Sequence, residues 1–149
     1  MICERYACRV IKNIQVTESP QWLKNRLISI NQRPINNIID LANYIMYDLG
    51  QPLHIFDYNK IKNKKISIRL AYNNEKIKCL DNNVKCLDND DIVIADSKEP
   101  IAIAGVIGGL NSHVDEKTKD ILIESAVFNQ ICIRKTSKKH DYSKEASKR

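Results

Sequence analysis

The chain has 149 residues, 43% of them hydrophobic and 28% charged, with a formal net charge of +6. That length suits one domain, residues 1–149, around a single core, and that balance excludes a disordered chain. No apolar run approaches the roughly 18 residues of a membrane span, and MICERYACRV opens like a strand rather than a signal peptide, so no membrane and a cytoplasmic location are expected.

In chain order, Tyr6, Cys8 and Val10 alternate with Ala7 and Arg9, a strand pattern that extends toward Val16. Ser19-Pro20 reads as the N-cap and first residue of a helix with Trp22, Leu23, Arg26, Leu27 and Ile30 on one side. The stretch from Arg33 to Asp57 organises the rest. Ile35, Ile38, Ile39, Ala42, Ile45, Met46 and Leu49 recur at helical spacing; Asn36 or Asn37 can cap the start, and Gly50 with Pro52 ends the helix. Its other face carries Asn36, Asp40, Asn43 and Tyr47, either an ordinary polar face or a site lining, with His54 on the turn beyond. From Ile66 the period changes to two, predicting strands at 66–70, 76–80, 84–87, 92–96, 101–104 and 120–125, and a final helix from about Asn129 to Lys139. Without βαβ alternation this argues an α+β fold, mixed but mainly antiparallel, with layered sheets and packed helices.

The five cysteines are odd in number and lack a C-x-x-C pair, which argues against a disulfide framework and a zinc site; no metal is expected. A two-residue turn at Asn82-Asn83 would set Cys79 opposite Cys86, both as small buried hydrophobes. The charge is uneven. Residues 131–149 hold seven basic and two acidic side chains, a balance of +5 that leaves +1 for the rest, so this segment is either a polyanion contact or a solvated tail.

Three features could carry chemistry. Of four glycines, three fall in Ala104-Gly105-Val106-Ile107-Gly108-Gly109, a tight strand-to-loop transition or a pocket wall, with neither dinucleotide nor Walker spacing. Glu124 interrupts the apolar run Ile121-Leu122-Ile123, so it is in a satisfied network, on a partly exposed face, or available to a ligand. His54 beside Pro52 can bind a phosphate or ribose or cap a neighbour, whereas His113 and His140 have no partner at a recognisable spacing. No nucleophile triad, paired-acid motif or H-E-x-x-H is present.

The segments NNIIDLANYIMYDLGQPLHIFD, LDNNVKCLDNDDIVIAD, PIAIAGVIGGLNSHVDEKTKDILIESAVFN, IRKTSKKH and SKEASKR resemble, in order and over nearly the whole chain, the B3/B4 domain of the bacterial phenylalanyl-tRNA synthetase beta subunit. The resemblance implies proofreading: hydrolysis of mischarged Tyr-tRNA(Phe). Carried over by motif, Glu124 in LIESA would accept the tyrosine hydroxyl, and His54 in GQPLH, Asn43 in ANYIM and Arg33 in RPIN would surround the terminal adenosine. Ala104, Gly105 and Gly108 match a small-residue wall, and Ala146 in KEAS the far side of the amino-acid pocket. Lys144 stands where the family usually has Thr, a long cation for a short hydroxyl, which predicts weakened or lost editing, down to a non-catalytic tRNA- or subunit-binding module. Implied partners are the tRNA(Phe) 3′ end, the rest of the beta subunit and the alpha subunit. No cofactor is expected in this chain; ATP and Mg belong to the whole synthetase. The chain stops where the family sequence continues, so it is expected to be a piece unable to ligate phenylalanine alone.

Overall fold

The computed structural model describes residues 1–142. The order is β1 (Cys3–Ile11), α1 (Gln21–Ser29), α2 (Asn37–Leu49), β2 (His54–Asp57), β3 (Ser67–Leu70), β4 (Lys76–Lys78), β5 (Val84–Cys86), β6 (Ile92–Ala95), β7 (Pro100–Ile103), β8 (Ile107–Gly108), β9 (Ile121–Phe128) and α3 (Gln130–Lys139), with short 3-10 turns after β2 and β8. The strands form a three-stranded sheet β1-β9-β2, a four-stranded sheet β3-β6-β7-β8 and a hairpin β4-β5, and every pairing is antiparallel. The expected α+β class with antiparallel layers is what forms.

Alternation explains the layering. Odd-numbered residues at the inner end of β9 and β2, Ile121, Ile123 and Ile55, point toward Ile38 and Ala42 of α2. Their neighbours Leu122 and Phe56 point the other way, onto Ile92, Ile94 and Ile101 of the four-stranded sheet. That second sheet is covered on both faces, since Val93, Ala95 and Ile103 pack against Ile77, Cys79 and Leu87. Burial on both sides is why β6 reads as an unbroken Ile-Val-Ile-Ala run.

The central helix forms as its local signals dictate. Asn36 accepts from the N–H groups of Ile38 and Ile39, and Gly50 closes the other end in the left-handed region at φ 70°. Asn37 spends its side chain on the backbone of Thr17 and Gln15 instead. Its polar face is not uniformly solvated. Asp40 is 0% exposed and accepts from the Ser19 hydroxyl and the Ile35 N–H, tying α2 to the approach of α1. Ser19 is therefore not the N-cap of α1; Pro20 occupies that position and no side chain caps it. A buried carboxylate oxygen that would otherwise lack a donor is the stronger claimant on the hydroxyl.

Three other expectations are corrected. β1 ends at Ile11, because Asn13 takes φ 57° and donates its N–H to Asp120. Cys79 does not face Cys86: the register pairs Lys76 with Cys86 and Lys78 with Val84, while Cys79 bridges to Gly109. The loop bends at Asn82, φ 66°, so the centre of the hairpin lies earlier than a turn at Asn82-Asn83 would place it; Cys79 is buried and Cys86 exposed. Finally, His54 is not on a turn but begins β2.

A buried carboxylate and an imidazole on one sheet face

β9 is the middle strand of its sheet, and Glu124 has a register partner on each side: Cys8 of β1 and His54 of β2. Directly opposed residues share a face with Cα atoms about 4.5–5.5 Å apart, so the acid and the imidazole emerge side by side. One rung inward, Phe56 opposes Leu122 and closes the floor. Tyr6, opposite Ala126, lies one rung outward on the same face.

Glu124 is 6% exposed, and among the described residues its one hydrogen-bond partner is the Tyr6 hydroxyl, which donates to Oε2 at 2.9 Å. Burial pushes its carboxyl up to about 7, against the smaller opposing pull of Tyr6. Burial first, and then the adjacent carboxylate, holds the Tyr6 hydroxyl far above the usual phenol range. His54 is pushed down to about 4 by burial alone, so its ring is neutral at pH 7. It stands edge-on to Phe56 with ring centroids 4.4 Å apart.

Gly108 explains itself at this point. A Cβ there would lie 2.6 Å from His54 Cε1 and 2.9 Å from Nε2, so the missing side chain is the space the imidazole occupies. Gly105 serves elsewhere, turning at φ 66° with Ile133 of α3 against it, and Ala104 is buried in the core beside Phe56. The four residues brought together are thus Glu124, His54, Gly108 and Tyr6. Asn43 and Arg33 belong to the helical layer, which packs on the sheet face opposite Glu124; Asn43 is half-buried and Arg33 exposed. Lys144 and Ala146 lie outside the described residues. Tyr6 carried no sequence signal beyond strand alternation, because the pairing that places it near Glu124 spans 118 positions.

The other two histidines are committed. His113 Nδ1 sits 2.6 Å from the Leu110 carbonyl oxygen, and His140 Nε2 lies 3.0 Å from Asp91. Among the described residues only His54 has no such contact at either ring nitrogen. Much of the basic charge on α3 is also spent internally, Lys135 on Asp90 and Lys139 on Asp88 and Asp91. No three His, Cys, Asp or Glu side chains converge as a metal site among the described residues. Nor is any helix among them long and apolar enough to cross a membrane. What the face offers is a desolvated carboxyl with one oxygen uncommitted, able to accept a further O–H or N–H, next to a neutral imidazole.

A family profile described as the B3/4 domain matches residues 2–149. The chain belongs to the B3/4 domain family. It is 50% identical over 147 residues to a phenylalanine–tRNA ligase beta subunit from Protochlamydia amoebophila, covering 99% of this chain and 18% of that one. It is 45% identical over 149 residues to the same subunit from Desulfotalea psychrophila, again 99% of this chain and 18% of the other. This B3/4 domain thus spans under a fifth of the curated relatives it matches. A crystal structure of an N-terminal fragment of the phenylalanyl-tRNA synthetase beta subunit from Pyrococcus horikoshii has the same fold, with a TM-score of 0.62 at 16% identity, covering 93% of this chain and 46% of that one.

Proposed function

We propose that this B3/4 domain is the proofreading module of a phenylalanyl-tRNA synthetase beta subunit and hydrolyses tyrosine wrongly esterified to tRNA(Phe). The observation that carries the reading is Glu124, a buried acid with a single partner among the described residues, set beside the imidazole of His54, which has none among them. A pocket selecting phenylalanine cannot strongly reject an analogue that only adds a hydroxyl, but a second site built to bind that hydroxyl rejects its absence well. A tyrosyl ring donates its phenol to Glu124. A phenylalanyl ring leaves the carboxylate's free oxygen desolvated and without a donor, a cost of about 1–3 kcal/mol.

In the reaction, water adds to the ester carbonyl, the bond from that carbon to the ribose oxygen breaks, and the freed tRNA hydroxyl takes up a proton. With its pKa pushed down to about 4, His54 is a poor base at neutral pH and acts by hydrogen bonding, orienting the terminal ribose or the attacking water. Gly108 keeps the space around that ring open, and Ala104 lies beside Phe56 at the floor; Gly105 faces Ile133, and Asn43 and Arg33 sit with the helical layer on the other sheet face, so their part in this reading rests on the family's motif alone. Lys144 and Ala146 lie outside the described residues and enter this reading through the family's motif alone. The tRNA(Phe) 3′ end is the substrate contact; the rest of the beta subunit and the alpha subunit, with ATP and Mg, carry the ligation, in the cytoplasm.

The test is deacylation of Tyr-tRNA(Phe) and Phe-tRNA(Phe) by this chain. Faster release of tyrosine, lost in Glu124→Ala, is expected; equal rates, or rates indifferent to that change, overturn the reading. Lys144 favours a second reading, a non-catalytic module that keeps the fold and the tRNA or subunit contacts. If Lys144 only slows editing, Lys144→Thr raises the tyrosyl rate; if the pocket has decayed, it restores nothing.

A further inference from the structure

We propose that Tyr6 is a positioning residue that sets the specificity of this site: its hydroxyl holds Oε2 of Glu124 and leaves Oε1 as the acceptor for a substrate phenol. The substrate half of this rests on the editing reading; the rest is geometry. β1 presents Tyr6 one rung from Glu124, a diagonal neighbour within reach of an aromatic side chain. The residue directly across from Tyr6 is Ala126, whose methyl leaves the ring room to lean toward the acid. The ring's body packs against the core between the two sheets, which fixes where its hydroxyl can point.

A carboxylate held at one oxygen cannot rotate freely, so its remaining lone pairs keep one direction. Donation from Tyr6 also favours the ionised form, which accepts and never donates. Both effects sharpen discrimination, because a phenol satisfies the free oxygen and a bare benzene ring cannot. Among the described residues, the titratable groups facing Glu124 are Tyr6, Cys3 and Cys8 from β1 and His54 from β2; the four-stranded sheet contributes Ile92, Ile94, Ile101 and Ala104 to the interface, none of which titrates. No cation among the described residues competes with Tyr6 for the acid.

The experiment is a ¹³C NMR titration of the Glu124 carboxyl, assigned with Glu124→Gln, in wild-type chain and in Tyr6→Phe, beside the ratio of tyrosyl to phenylalanyl deacylation rates. Loss of the Tyr6 hydroxyl moves the carboxyl midpoint upward and lowers the ratio about fivefold or more, the equivalent of roughly 1 kcal/mol. An unchanged midpoint overturns the proposal. So does a faster tyrosyl reaction in Tyr6→Phe, since the phenol would then be a plug the substrate must displace. A moved midpoint in a chain whose wild type hydrolyses neither ester leaves Tyr6 holding the acid and refutes editing instead. Should Tyr6→Phe fail to fold, the Tyr6 Cζ resonance of the wild type serves: it follows the Glu124 midpoint and stops doing so in Glu124→Gln, and a Cζ that ignores Glu124 overturns the proposal.

Discussion

Asp91 and Glu124 are both acids shut away from water, at 0% and 6% exposure, and they are built in opposite ways. Asp91 accepts from the Thr136 hydroxyl, the Asp88 N–H, Lys139 and His140, which pin the end of α3 to the loop before β6. Burial is the largest influence on its carboxyl and raises it, yet these partners outweigh burial and leave it below the usual range. Glu124 has one donor among the described residues, and burial wins. Two further buried acids also have their oxygens occupied: Asp40 accepts from the Ser19 hydroxyl and the Ile35 N–H, and Asp57 from the Thr118 hydroxyl and the Asn59 N–H. Burial of an acid therefore does not mark a site in this molecule. Acceptor capacity left unspent does.

If the contrast is right, removing the two acids has opposite consequences. Asp91→Ala strands Thr136 and His140, leaves Lys139 with Asp88 alone, and is expected to cost about 3–5 kcal/mol, read as a lower urea midpoint. Glu124→Gln is expected to stabilise. The folded carboxyl titrates near 7, above its ordinary value of 4.5, so the folded state holds a proton that the unfolded chain releases between those values. Stability falls as pH rises through that window, and the Gln variant, spared that fall, should gain up to about 3 kcal/mol at pH 8 and nothing at pH 4. An Asp91 variant as stable as wild type, or a Gln variant without pH-dependent gain, would break the comparison.

A smaller effect sharpens the other half of the site. Gly108→Ala drives a methyl into the imidazole, expected to cost about 1–3 kcal/mol and to slow tyrosyl deacylation. His54 adds a limb of opposite sign to the acid's. Its folded value, near 4, lies below the ordinary 6.5, so stability is full above 6.5 and falls as pH drops toward 4. His54→Phe should flatten that limb in a pH series of thermal midpoints. The least effect belongs to the surface: Lys135→Ala removes an exposed pair with Asp90 and leaves the unfolding midpoint where it was.

What could be read from the residues follows the range of the interaction. Asn36, Gly50 and the apolar stripe of α2 act within a turn or two, so the helix and both ends were legible. Strand positions were legible from alternation and Asn/Asp turns. Registers were not, because they depend on pairings between distant segments. That is why the Cys79–Cys86 pairing was misplaced and why His54, which opens a strand of four residues too short to display a period, read as part of a turn. For Glu124 the anomaly was visible as an acid in a greasy run, but its neighbours His54 and Tyr6 come from the two flanking strands. The basic excess of the C-terminal segment was visible too, though its partners Asp88, Asp90 and Asp91 were not.

The most direct measurement is the ratio of kcat/KM for Tyr-tRNA(Phe) over Phe-tRNA(Phe), in wild-type chain and in Glu124→Gln, whose neutral amide keeps the shape of the acid. Reading the phenol through an ionised carboxylate predicts a wild-type preference for the tyrosyl ester that drops about 10–100-fold in the variant. The same preference in both, or none in the wild type, would contradict it.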